Sequence, residues 1–160
     1  MKILGIDPGL NVCGYACLEA RLLRETLIEA GFVRTDRHLS LEQRLVHIAQ
    51  DLDALLDNLK PELVAVEALY AHYAHPRTAI LMGHARGVIL QRCGARDLEV
   101  KSFSATKIKK ATTGNGRASK EQMQRSVQHI MGLAELPEPN DVADAIAVAL
   151  CCSNSLKITV

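Results

Sequence analysis

An α/β domain built on a mixed sheet, with helices on both faces, is predicted by three observations. Three strand-like segments precede the first helical one. Strand-like and helical segments alternate after it. Two of the strands are apolar almost throughout and end on a carboxylate. A chain of 160 residues, 48% of them hydrophobic, suits one domain with a substantial core, so residues 1–160 are read as a single unit. With no Trp, two Phe and three Tyr, that core must be Leu, Ile, Val and Ala.

Residues 2–7 read as a buried strand ending at Asp7, and Pro8-Gly9 turns the chain. Residues 12–19 and 25–34 complete an antiparallel meander. Ser40 with Gln43 forms a capping box, and Leu41, Leu45, Ile48, Leu52, Leu55 and Leu59 recur at helical spacing, giving a helix over 41–59. Leu63-Val64-Ala65-Val66-Glu67 repeats the form of the first strand. Pro76 opens a helix over about 77–92 that ends near Gly94. Residues 97–101 are a fifth strand, and Ser104 caps a short helix to about Thr112. Gly114-Asn115-Gly116 breaks the chain before a helix from the Ser119/Gln122 capping box to about Met131. Asn140 caps a last helix over 141–152.

Five cysteines, with no C-x-x-C pair, read as reduced and mostly buried thiols. No basic-then-apolar leader opens the chain, and no apolar run reaches membrane-spanning length. The expectation is a soluble, cytoplasmic protein with no membrane partner.

Asp7 and Glu67 close the two apolar strands, and Asp141 and Asp144 share one face of a helix's first turn. Each has an ordinary explanation alone: a turn, a strand-end charge, or complement to a helix N-terminus. Together they form an oxygen-only donor set suited to Mg²⁺ or Mn²⁺ rather than Zn²⁺. Four carboxylates can hold two such ions, as used in phosphoryl displacement.

The net charge of +1 hides a strong polarity. Residues 101–125 carry seven basic groups (Lys101, Lys107, Lys109, Lys110, Arg117, Lys120, Arg125) against one acid, while residues 126–150 carry four acids and no Lys or Arg. A basic segment beside an acid cluster suits a polyphosphate chain, although a solvated face remains the plain alternative. The Gly114–Gly116 turn is open to two readings, a phosphate cradle or a tight interhelical connection. Gly83 and Gly87 lie on one helix face, which fits close packing on the chain's own sheet or a two-fold seam with a second copy. His47, His72, His75 and His84 are too irregularly spaced for a metal site and read as surface or packing groups.

Five blocks, in order and spread over the whole chain, resemble the RuvC family of bacterial Holliday-junction resolvases. They are Gly5-Ile6-Asp7-Pro8-Gly9; Glu67 with Tyr70; Gly83-His84-Ala85-Arg86-Gly87-Val88; Gly114–Gln122; and Asp141-Val142-Ala143-Asp144-Ala145-Ile146-Ala147. The resemblance implies a ribonuclease-H-like fold and a homodimer that nicks two strands of a four-way DNA junction with Mg²⁺, leaving 5′-phosphate and 3′-hydroxyl ends. It implies work alongside the RuvA–RuvB branch-migration machine. It assigns Asp7, Glu67, Asp141 and Asp144 as catalytic metal ligands, and Lys109 and Lys120 as basic groups near the scissile backbone. Tyr70 falls where the family has a base-stacking aromatic. Lys107, Lys110 and Arg117 join these as DNA-binding candidates. His84 stands where the family has Gln.

Two other classes share single features. Actin-like kinases open on a similar strand-end acid but are far longer. A non-catalytic junction-binding module would share the fold, yet all four acids are present here.

Overall fold

The apolar opening residues form strand β1 (Lys2–Asp7) in a computed structural model that describes residues 1–21, 24–69 and 76–157. β2 (Val12–Ala20) and β3 (Glu25–Arg34) follow as an antiparallel meander. β4 (Leu63–Glu67) pairs parallel with β1 on its other side, and β5 (Val100–Phe103) pairs parallel with β4. The order β3-β2-β1-β4-β5 sets the two acid-ended strands side by side at the centre. This is the mixed sheet expected from the sequence, in the five-stranded, ribonuclease-H-like form that the resemblance implies.

Period-two alternation divides the core between the two faces. Leu4, Ile6, Val64 and Val66 pack against Leu52, Leu56 and Leu59 of α1 (Leu41–Leu59) and Ile89 and Cys93 of α2 (Pro76–Gly94). Ile3, Leu63 and Ala65 point the other way, into α5 (Asn140–Lys157). α3 (Ala105–Thr113) and α4 (Lys120–Met131) pack on α5, with Ile108, Met123 and Val127 buried against it. α5 is therefore enclosed on nearly every side, which explains why its sequence is apolar all round from Ala145 to Cys152. A side chain such as Ile146, with no exposure, contributes about 1.5–3 kcal/mol by its removal from water.

Several boundaries differ from the sequence reading, those of β5 and α5 most. β5 begins at Val100, because α2 runs on to Gly94 and the chain turns through Asp97 at φ 54° before it can pair with Val64. α5 starts at Asn140, with the Val142 N–H donating to the Pro139 carbonyl, and continues to Lys157. Its extra turn is anchored to β3: Ser153 Oγ donates to Glu25 Oε1, which Lys157 Nζ also approaches at 2.5 Å. That anchor is tertiary and leaves no local pattern.

Both expected capping boxes form. Ser40 and Gln43 bond reciprocally at the start of α1, and Ser119 and Gln122 at the start of α4. Ser119→Ala leaves the first amides of α4 without their acceptor. It should cost about 1 kcal/mol, seen as a fall of roughly 2–4 °C in melting temperature. An unchanged melting curve would show that water replaces the cap without loss.

Candidate active site

Strand alternation decides which face each strand-end acid uses. Ile3 and Gly5 face α5, so Asp7 does too; Leu63 and Ala65 set Glu67 the same way. Ile6 is opposite Val66, so the two carboxylates emerge level on adjacent strands, which are spaced about 4.8 Å apart.

α5 brings the other two acids to this edge. Its backbone lies directly on the sheet at two glycines. A Cβ at Gly14 would sit 2.0 Å from the Asp141 carbonyl oxygen, and one at Gly5 would sit 2.4 Å from that of Ala145. Gly14 is the β2 partner of Asp7. Asp141 is thus fixed one strand away from Asp7 by main-chain contact. Asp144, one turn further along the helix, acts electrostatically on both Asp7 and Glu67.

The result is a crowded set of anions at the edge of the core. Burial, then repulsion from Glu67, Asp144 and Asp141, pushes the Asp7 carboxyl up to about 8, against a smaller pull downward from Lys120. Glu67 is raised by burial and by Asp144, with Lys109 opposing. Asp144 is raised by burial first and by Asp141; Lys120 and Lys109 lower it. The two lysines divide their influence: Lys120 bears on Asp7 and Asp144, Lys109 on Glu67 and Asp144.

All four donors are carboxylate oxygens, and the charge they share is only partly offset by the two lysines. That chemistry fits a hard divalent cation. Among the described residues, no three His, Cys, Asp or Glu side chains are drawn together closely enough to hold a metal ion as they stand.

Of the other sequence candidates, Lys107, Lys110 and Arg117 are exposed on the α3–α4 unit. Lys107 Nζ lies 5.0 Å from the ring centre of Phe103, the residue paired with Glu67 on β5. Tyr70, with His72 and His75, lies outside the described residues. The Gly114–Gly116 turn resolves in favour of the interhelical connection. The Gly114 amide donates to the Lys110 carbonyl, Asn115 to Thr113 Oγ1, Arg117 to Asn115 Oδ1 and Ala118 to the Asn115 carbonyl. Those amides are already engaged and do not form a phosphate cradle.

Sequence reasoning missed two arginines that brace the site. Arg86 of α2 donates through Nε to the Glu67 carbonyl at 3.3 Å and through Nη2 to Ser102 Oγ at 2.8 Å, tying together the ends of β4 and β5. Arg44 of α1 donates to Thr35 Oγ1, the Leu10 carbonyl and Asn11 Oδ1, holding the turn that follows Asp7. Arg86 lies inside a block singled out for its glycines; nothing local to Arg44 marks it.

Comparison with known proteins gives the family and matches the fold. Residues 3–152 match the family model described as crossover junction endodeoxyribonuclease RuvC. The protein of that name from Rhodopirellula baltica is 46% identical over 149 residues, covering 93% of this chain and 84% of the relative. The one from Heliobacterium modesticaldum is 44% identical over 98% of this chain and 96% of its own length. The Thermus thermophilus RuvC structure superposes with a TM-score of 0.88 at 29% identity, covering 99% of this chain and 97% of that one. A second Thermus thermophilus structure, in complex with Holliday junction substrate, gives the same TM-score at 27% identity, covering 99% of this chain and 96% of that one. A five-stranded sheet ending in paired acids, a helix laid over it on two glycines, and full-length similarity of this extent have one common reading: the chain belongs to the RuvC family of crossover junction endodeoxyribonucleases.

Proposed function

We infer that this chain resolves four-way DNA junctions in recombination and repair by nicking two strands symmetrically, leaving 5′-phosphate and 3′-hydroxyl ends. The observation that carries the reading is the group of electrostatically coupled acids at one sheet edge, flanked by Lys109 and Lys120, in a chain of this family.

Asp7, Glu67, Asp141 and Asp144 are the residues that would hold two divalent cations, Mg²⁺ with Mn²⁺ able to substitute. When bound, such ions supply an activated water and charge stabilisation at the leaving oxygen. The protein's own groups do the rest. Lys109 and Lys120 orient the scissile phosphate and offset the charge that grows on it. Lys107, Lys110 and Arg117 grip neighbouring phosphates. Tyr70 stacks on a base unpaired at the crossover. β1, β4 and α5 hold the acids in place, so little reorganisation is needed as the reaction proceeds.

The decisive experiment compares cleavage of synthetic four-way junctions, linear duplex and RNA, with and without Mg²⁺. Junction-selective, Mg²⁺-dependent paired nicks support the reading. Equal cutting of all substrates, or binding with no cutting, would reject it in favour of a general nuclease or a binding module.

A homodimer presents two such sites to two symmetric strands, and α2 supplies its seam. Among the described residues, Gly87 has no neighbour within 4 Å of where a Cβ would be, and Gly83 has only Leu69 Cδ1, at 3.8 Å. Packing among the described residues therefore does not require glycine at 87. Gly87→Leu should leave the melting temperature nearly unchanged, yet shift sedimentation at micromolar concentration from dimer to monomer. A variant that remains dimeric would move the seam elsewhere. No helix among the described residues is long and apolar enough to cross a membrane. A cytoplasmic location and cooperation with RuvA–RuvB complete the proposal.

A further inference from the structure

The catalytic acids belong to a row of residues that crosses the whole sheet. Asp7 pairs with Gly14, and Gly14 pairs with Phe32 on the edge strand β3. Paired residues share a face, so Phe32 stands on the α5 side, two strands from Asp7, or about 10 Å away. It is 41% exposed, one of the few large apolar side chains left open to water. Two residues on, the Arg34 guanidinium lies over the Phe32 ring, 5.3 Å from its centre. Among the described residues, no ion pair involves Arg34 or Arg37. Both line a cleft with Asn11, Thr35, Asp36 and His38, beside the turn that follows Asp7. The Asp36 carboxylate accepts from the His38 amide at 2.9 Å.

Lys109 of α3 acts on Glu67, whose β5 partner is Phe103, so α3 brings its positive charge to the side of the acids away from β3. The acid cluster therefore has positive charge on both flanks, and only the α3 flank is marked in the sequence by a basic run. We propose that Phe32, Arg34 and Arg37 form a second phosphate-binding track, which holds the scissile strand two or three nucleotides from the cut on the β3 side. A strand advances about 3.4 Å of axis per phosphate, so 10 Å corresponds to that interval. Phe32 is a positioning residue: its ring fixes the guanidinium that would otherwise swing free, and the pair meets the backbone with one preset cation. The occupant is nucleic-acid backbone rather than a protein, because the surface offers unpaired guanidinium groups around a single exposed aromatic, not a continuous apolar face.

This inference rests on the chain acting on DNA at the acid cluster. The test measures binding of the full-length protein to a synthetic four-way junction and to a linear duplex, over a series of salt concentrations with Ca²⁺ or no divalent ion. The expected result for Arg34→Gln/Arg37→Gln is weaker binding, by about tenfold or more at low salt, and a log–log salt slope smaller by about 2, one for each lost phosphate contact. Phe32→Leu, which keeps apolar bulk but removes the ring, should weaken binding several-fold. It should have little further effect once Arg34 is Gln. Melting temperatures should match wild type, because all three side chains are exposed. An unchanged salt slope in the double variant overturns the track, however well wild type cuts junctions. A wild type with no preference for junction over duplex overturns the resolvase reading instead, while the slope measured on duplex still decides the track.

Discussion

Asp7→Asn should reduce strand cleavage about 10³-fold or more, leave junction affinity within a few-fold of wild type, and raise the melting temperature of the metal-free protein above pH 7. The catalytic loss follows from taking one anionic oxygen donor out of a site whose ions are worth several kcal/mol of transition-state stabilisation. Binding survives because phosphate contacts come from cations elsewhere on the surface. The gain in stability follows from linkage. The Asp7 carboxyl is pushed up to about 8 in the folded chain, from an ordinary value of 3.8. Between those values the folded state holds a proton that the unfolded state has released. Stability therefore falls as pH rises through the window from about 4 to about 8, by up to ~1.4 kcal/mol per pH unit from this group. Asn carries no charge to bury and does not follow that slope. A divalent ion in the wild type should flatten the slope as well, since an ion that binds only the folded state stabilises it by mass action. Thermal unfolding of both proteins at pH 5, 7 and 8, with EDTA or Mg²⁺, checks the set. Full nicking by Asp7→Asn would reject its role as a ligand, and a lower metal-free melting temperature at pH 8 would reject the repulsion argument.

The parts of this site legible in the sequence are those with local causes. Asp7 and Glu67 stand out because each ends an apolar run that only a doubly covered strand tolerates. α1, α3 and α4 begin where Ser40, Ser104 and Ser119 cap them, since capping involves residues three apart. The unread parts depend on contacts between distant segments. Gly14 looks like an ordinary weak point in a strand until α5 is laid upon it. The Arg86 contact with the Glu67 carbonyl spans 19 positions, and the Arg44 contact with the Leu10 carbonyl spans 34. Arg34 reads as part of a strand end. Only the lateral register Asp7–Gly14–Phe32 shows that it borders the row that Asp7 heads.

Gly14→Ala should inactivate the enzyme without touching any charged group. The added Cβ would lie 2.0 Å from the Asp141 carbonyl oxygen and 2.5 Å from its carbonyl carbon. Both obstructing atoms are backbone, so no rotamer change relieves the clash. Either β2 bows away from the sheet or the first turn of α5 lifts by more than 1 Å. Overpacking of this kind costs about 1–3 kcal/mol or more, and a shift of 1 Å in a reacting group costs on the order of 10² in rate. Cleavage should therefore fall at least 100-fold even at temperatures where the variant is fully folded. Gly5→Ala, with its Cβ 2.4 Å from the Ala145 carbonyl oxygen, should behave similarly but lift the helix one turn further from Asp141. Metal affinity separates this mechanism from simple unfolding. The folded Gly14→Ala protein should need more Mg²⁺ for the same stabilisation, because two of its four acids have moved relative to the other two. Native melting temperature, activity and Mg²⁺ response in Gly14→Ala would mean that α5 is not set by the sheet backbone. The alternative would be that side-chain packing along Val142, Ile146 and Leu150 carries the alignment. Alanines at 145 and 149, the residues that lie on Gly5, argue against that, since side chains so small let the helix backbone approach the sheet and leave contact with its glycines to fix the depth.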